Sequence, residues 1–382
     1  MKLLEKTGKQ RNAEIKRLMV KNGFDFLVLT QPVSFEYLIF SRIPFLCIIS
    51  KEKNTDPVIF THFYSLELVK SETWSGNVIG VYPHNIGIAV RDKVEENPFI
   101  KAIDHINSFN DKNKKIGLDF TNTLYGIVGL FKKNLIKCEV SDCNSLLEKI
   151  YSIKTQEELE LLKKAAEIAE LGIISTKEFL EECYLKNSTK LTENELAAFA
   201  EYQMRKNDVD GFFVRSSVAS GPRSILIGAV DSIKVINEND LINADYSPVY
   251  KRYYADICRP LRVKGFTKEI KDKCKIIEEA LDIAISSIKP GVIAKEVDIK
   301  VRKHFMKKGF DGEFIHHTGH TIGNAWGPVF TPNSESIIEE GMVFALEPGL
   351  YNSEVGGIRI EDNIYVDKNE SLNLMNLPRI LY

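Results

Sequence analysis

A capping box divides this chain. Thr155 and Glu158 stand three residues apart at the head of a helical pattern, Glu157 to Leu180, with Leu159, Leu162, Ala166 and Ile173 at helical spacing. Such a box satisfies two amide donors that a helix start otherwise leaves open, so the chain breaks near Ser152 and a long helix begins just after it. With 382 residues the chain exceeds what one hydrophobic core usually serves. Two domains are expected, residues 1–150 and 151–382.

The two stretches differ in rhythm. In the first, short apolar runs read as strands: Phe26 to Thr30, Phe45 to Ser50, Pro57 to Phe60 and Asn77 to Val81. Helix-like segments such as Arg11 to Lys21 and Asn122 to Lys133 alternate with them, which describes a smaller α/β domain. In the second, a box at Thr192 and Glu195 opens another helix. Beyond about Phe212 come strands, then two helices ending at Pro290-Gly291 and near Gly309, then strands again, as in an α+β sheet domain.

Composition removes several classes of function. The chain is 44% hydrophobic and 27% charged with net charge −2, so nothing electrostatic points to nucleic acid or an anionic membrane as partner. Peptides or small molecules are the expected ligands. Met1 to Lys21 carries Lys and Arg throughout without the apolar stretch of a signal peptide or membrane span, and a cytoplasmic location is expected. The six cysteines show no CxxC or zinc-finger spacing and read as reduced core residues.

Against that background five residues of metal-ligand type stand out in order: Asp245, Asp256, His320, Glu347 and Glu361. LINADYSPVY and KRYYADICRPL read as a hairpin with its midpoint between Tyr250 and Lys251, which makes Asp245 and Asp256 direct cross-strand neighbours. Like charges placed so are destabilising, and the pair asks for a cation. In the run to Glu347, Met342, Phe344 and Leu346 share one strand face and Glu347 takes the other; in Ile358 to Glu361 the isoleucines share one face, Arg359 and Glu361 the opposite one. Alone, each pattern also fits a solvated strand face. His320 belongs to a cluster with His316 and His317, beside Gly319 and Gly323, which let backbone approach a ligand. Four carboxylates and an imidazole that converge suit a pair of divalent cations around a shared water.

The order and spacing of these residues resemble the pita-bread-fold metallopeptidase family, which includes aminopeptidase P, prolidase, methionine aminopeptidase and creatinase. Asp245 and Asp256 lie eleven positions apart as in that family, with Tyr250 and Tyr253 between them. Gly319-His320, EEGMVFALEPGLY around Glu347 and GGIRIED around Glu361 resemble its remaining motifs. RNAEIKRLMVKNGFDFLVLTQPVSFEYL and IKTQEELELLKKAAEIAE resemble the creatinase-type leading domain and its connecting helix, which favours the prolidase, aminopeptidase P and creatinase branch. The resemblance implies an α+β pita-bread catalytic domain behind a creatinase-type α/β domain, and two divalent ions, Mn²⁺ or Co²⁺ first, with Zn²⁺ or Fe²⁺ as alternatives. It implies that Asp245 ligates one ion, His320 and Glu347 the other, and that Asp256 and Glu361 bridge them. Glu347 would also carry the proton, Arg359 would position or neutralise Glu361, and His316 corresponds to a further family histidine. A homodimer acting on small peptides is the implied assembly.

The chain departs from the family at two histidines. Ile227 and Gly228 stand where the peptidases carry Pro-His, and Gly327 and Pro328 where they carry His-Glu; His317 and Trp326 are candidates to replace those contacts. Three readings are therefore open: an Xaa-Pro dipeptidase or aminopeptidase, a creatinase-like hydrolase of a non-peptide C–N bond, and a non-catalytic binding module on the same fold.

Overall fold

The computed structural model describes residues 2–82, 96–109, 113–185, 190–214, 216–323 and 327–381. Trp326 lies outside the described residues. The chain divides into two compact units, Met1–Tyr151 and Ser152–Tyr382.

The first unit holds β1 (Phe26–Leu29), β2 (Leu46–Ser50), β3 (Val58–His62), β4 (Val78–Val81), β5 (Lys115–Leu118) and β6 (Glu139–Asp142), ordered β4-β3-β2-β1-β5-β6 in one sheet. Strand β1 is antiparallel to β2 and parallel to β5. Its run FLVL is buried throughout, as in strands covered on both faces. The first helix runs from Lys2 to Lys21, well before the expected Arg11. Gly8 hid this extension in the sequence. A Cβ there would lie 2.0 Å from the Trp74 indole, so the glycine is a packing residue within the helix. The helix expected from Asn122 begins at Tyr125.

The second unit opens with the helix Gln156–Leu185, whose box is closed in both directions: Thr155 N donates to Glu158 Oε2 at 2.7 Å and Glu158 N to Thr155 Oγ1 at 3.3 Å. The helix Glu193–Arg205 follows behind its own Thr192 box. Then come β7 (Val209–Phe212), β8 (Ser217–Ser220), β9 (Ile242–Tyr246), β10 (Pro248–Tyr250), β11 (Tyr253–Tyr254) and β12 (Ile257–Leu261), forming the sheets β11-β10-β7 and β12-β9-β8. Two helices, Lys268–Ser287 and Ala294–Lys307, precede β13 (Gly319–Thr321), β14 (Val329–Phe330), β15 (Val343–Leu346), β16 (Gly349–Asn352), β17 (Gly356–Arg359), β18 (Asp362–Val366) and β19 (Ser371–Asn373). These give a five-stranded sheet, β14-β13-β15-β18-β19, and the pair β16-β17.

Strand parity sorts the core as the sequence predicts. Met342, Phe344, Leu346, Ile358 and Ile360 pack with Ile277, Leu281, Val297 and Phe305 of the two helices. Val343 and Ala345 face the other way, against Tyr253, Tyr254 and Ile322. All six cysteines are free thiols, and Cys47, Cys143, Cys258 and Cys274 are buried. No helix among the described residues is long and apolar enough to cross a membrane.

The hairpin differs from expectation in register. Tyr250 pairs with Tyr253, so the turn is Lys251-Arg252, with φ of 44° and 75°. Positive φ at both positions matches the twist of a hairpin, but neither residue is the Gly or Asn that flags such a turn in a sequence. The midpoint therefore sits one residue later than expected, and Asp245 pairs with Cys258 rather than Asp256. Partners shift by two positions, which preserves parity. Asp245 and Asp256 remain on one face, as diagonal neighbours.

Candidate metal centre

Sheet register brings the acidic residues together. His320 of β13 pairs with Ala345 of β15, and Glu347, just past β15, donates its N–H to Thr318 O at 2.9 Å. Leu346 pairs with Asp362, so one further step sets Glu347 opposite Glu361. The opposed like charges expected of the two aspartates thus belong to the two glutamates. Asp256 joins from the hairpin side: its N–H donates to Asn363 Oδ1 at 3.1 Å, and the Asn363 amide donates back to its carbonyl.

Two triads of potential ligand atoms result, each within 4.8 Å: Asp256, His320 and Glu361, and His317, His320 and Glu347. His320 Nε2 lies 3.8 Å from Asp256 Oδ2 and 3.7 Å from Glu347 Oε1. Its Nδ1 sits 3.1 Å from the Thr321 carbonyl, which fixes the proton there and leaves the Nε2 lone pair facing the carboxylates. Asp245 stands outside both triads. Arg359 Nη2 donates to its Oδ2, so the arginine expected beside Glu361 pairs with Asp245 instead, and its Nε is 3.8 Å from Glu347 Oε2. The cause is position: Arg359 ends β17 while Glu361 lies past it, before β18.

His316 is half-buried and hydrogen-bonds to neutral groups. Its Nδ1 donates to the His317 carbonyl at 2.8 Å, and Tyr351 Oη donates to its Nε2 at 3.0 Å while accepting from Arg359 Nη1 at 3.3 Å. Tyr351 carried no signal in the sequence, since an aromatic in a strand reads as core. Asp298 and Arg302 were equally silent. Asp298 accepts from Thr318 Oγ1 at 2.7 Å and pairs with Arg302, which donates to the His316 carbonyl at 2.6 Å, so one helix fixes the backbone on both sides of His317.

Burial is the largest influence on all four carboxyls. It pushes Asp256 and Glu361 well above the usual carboxylate range, helped by their mutual repulsion with the other acids, and it raises Asp245 against the pull of Arg359. Burial would raise Glu347 too, but His317, Arg359 and His320 outweigh it and hold the carboxyl at about 2. Burial pushes His316 down to about 4, so it is neutral near pH 7.

The residues fit a divalent cation. Asp256 Oδ1 is a buried carboxylate oxygen without a hydrogen-bond partner, a state that normally calls for a cation or water. Oxygen-rich ligands with imidazole suit first-row divalent ions, and a cation would let the buried acids ionise.

The two family histidines are replaced in different ways. A Cβ on Gly327 would lie 2.7 Å from Ser152 Oγ and 2.9 Å from Thr321 Oγ1, so a side chain there would have to displace those hydroxyls. Gly228 has φ 73° and open space around it, flanked by exposed Leu226, Ile227 and Val230. Ser217 Oγ donates to Ala229 O, and Ser217 pairs with Asp245 across β8 and β9, which places this aliphatic loop on the carboxylate face of the sheet.

Known proteins resemble this chain in sequence and in fold. An Xaa-Pro dipeptidase from Pyrococcus furiosus is 32% identical over 284 residues, covering 74% of this chain and 79% of the relative. The solved structure of an X-Pro aminopeptidase from Thermotoga maritima matches with a TM-score of 0.85 at 26% identity, over 97% of this chain and 99% of that one. A prolidase from Pyrococcus horikoshii matches at 0.80 and 27% identity, over 98% and 100%. The second unit is thus the α+β pita-bread domain and the first its smaller α/β leader. Because the sequence pattern of metallopeptidase family M24 spans residues 160–368, from within the long helix through the last ligand-type glutamate, this chain belongs to metallopeptidase family M24.

Proposed function

We propose that this protein is a metal-dependent Xaa-Pro peptidase. The observation that carries the reading is the meeting of His320, Glu347, Asp256 and Glu361 in one buried cluster with unpaired polar atoms, in a chain related to an Xaa-Pro dipeptidase. Asp245, Asp256, His320, Glu347 and Glu361 would hold two divalent ions, Mn²⁺ or Co²⁺ first, Zn²⁺ or Fe²⁺ as alternatives. Bound cations supply an acidified water and polarise the scissile carbonyl.

The chain's own residues do the rest. Glu347, ionised within the cluster, would accept the proton of the attacking water and pass it to the leaving nitrogen. Arg359 neutralises Asp245 and, through Tyr351, orients neutral His316 at the edge of the cluster. The first unit acts as the creatinase-type leading domain of a cytoplasmic homodimer.

The aliphatic loop and crowded Gly327 favour a second reading, a creatinase-like hydrolase of a small C–N compound. A panel of Xaa-Pro dipeptides, longer Xaa-Pro peptides and amidine or cyclic-amide compounds, assayed with each metal, separates the two. Release of free amino acid from an Xaa-Pro substrate is the expected result. Turnover confined to the non-peptide compounds would install the second reading, and no bound metal at all would leave a binding module.

A further inference from the structure

His317 is not among the five residues that family resemblance assigns to the metals, yet its geometry is that of a ligand. Its Nε2 lies 2.8 Å from Glu347 Oε1, and His320 Nε2 lies 3.7 Å from the same oxygen. Metal bonds of about 2.0–2.2 Å set neighbouring ligand atoms roughly 2.9 Å apart in octahedral and roughly 3.4 Å apart in tetrahedral geometry, close to both separations. His317 Nε2 is buried and faces the Glu347 carboxylate, although the side chain as a whole is 37% exposed. The ring therefore points its nitrogen inward and leaves its outer edge to solvent. The two imidazoles stand 5.7 Å apart between centroids with their planes at 71°, an arrangement in which both can aim at one point.

The surrounding backbone supports the same role. The His317 carbonyl takes the His316 Nδ1 proton and the His316 carbonyl takes Arg302, so the peptide carrying the ring is fixed on both sides. Asp245, by contrast, has its Oδ2 engaged by Arg359.

Resting on the metallopeptidase reading, we propose that His317 is an additional metal ligand, joining His320 and Glu347 at one cation position beside the carboxylates Asp245, Asp256 and Glu361. The two positions then differ in chemistry. Two imidazoles and one carboxylate favour a borderline ion such as Co²⁺ or Zn²⁺, while the oxygen-rich position accepts Mn²⁺.

Co²⁺ is the probe. Metal-free protein receives one equivalent, X-ray absorption counts the imidazoles around the ion, and calorimetry gives its affinity. Two imidazoles are expected in the wild type; His317→Ala should show one, with the first Co²⁺ bound at least about tenfold more weakly. His317→Gln, which keeps a polar side chain of similar reach, should behave alike. One imidazole in the wild type, or unchanged affinity and spectrum in both variants, overturns the role of His317 and leaves the metallopeptidase reading standing. A wild type that takes up no Co²⁺, Mn²⁺, Fe²⁺ or Zn²⁺ overturns both.

Discussion

Strand β12 with the residues before it, and β18 with the residue before it, carry two buried charge clusters of opposite character. Arg259 and Asp362 are wholly buried and paired at 2.7 Å, and their remaining atoms are occupied as well. Arg259 donates to the carbonyls of Glu361, Cys258 and Pro378, while the other oxygen of Asp362 accepts from Asn373 and Arg379. On the alternate face, Asp256 and Glu361 lie among other acids, pushed toward neutrality and with unpaired atoms nearby. Successive strand residues point to opposite faces, so one step along the chain separates a satisfied cluster from an unsatisfied one. A satisfied buried charge holds a fold together. An unsatisfied one is expensive unless something binds there, and marks a site.

Substitutions should separate the two sharply. Glu361→Gln should lower kcat/KM by about 10⁴-fold or more and remove bound metal, since charge stabilisation by the ions contributes several kcal/mol. The metal-free variant should be at least as stable as the metal-free wild type, because a strained acid has been removed. Loss of stability together with metal would place Glu361 with the structural cluster. Arg259→Met should do the reverse. Chemical denaturation should show a loss of about 3 kcal/mol, the low end for a broken buried pair because Arg379 still serves Asp362. Turnover per folded molecule should be unchanged, and a large fall in kcat would break the distinction.

The acids should also make metal-free stability depend on pH. Asp245, Asp256 and Glu361 have folded-state values raised above their unfolded values, so their contribution is present below about pH 4 and is lost as pH rises through the folded values. Glu347 acts oppositely, contributing above its unfolded value and failing only as pH falls toward about 2. Melting of metal-free protein should therefore drop as pH rises from 4, and saturating metal should abolish the drop. A rise instead would mean the acids are already compensated. The smallest effect is expected of Tyr351→Phe: about fivefold in kcat/KM, one hydrogen bond's worth, with metal content unchanged.

Much of this was legible in the sequence because period-two patterns are robust. Met342, Phe344 and Leu346 against Glu347, and Ile358 and Ile360 against Arg359 and Glu361, fixed which faces the acids occupy. Register was less legible. Lys251-Arg252 forms its turn without the usual residues, so the opposed like charges are Glu347 and Glu361 rather than the two aspartates. Partners were the least legible. Arg359 reaches back to Asp245, and Tyr351, Asp298 and Arg302 approach the histidine segment from other elements. Only folding gives such contacts, and the close approach of Ser152 and Thr321 to Gly327 is likewise a property of packing.

We propose that the unsatisfied cluster holds divalent cations. Its most direct test is metal analysis of dialysed wild-type protein beside Glu361→Gln and Arg259→Met, with proton release measured on reloading. Two divalent ions per chain are expected in wild type and Arg259→Met, few or none in Glu361→Gln, with release of protons as the ions enter. A wild type that retains no divalent ion and releases no proton on titration would contradict it.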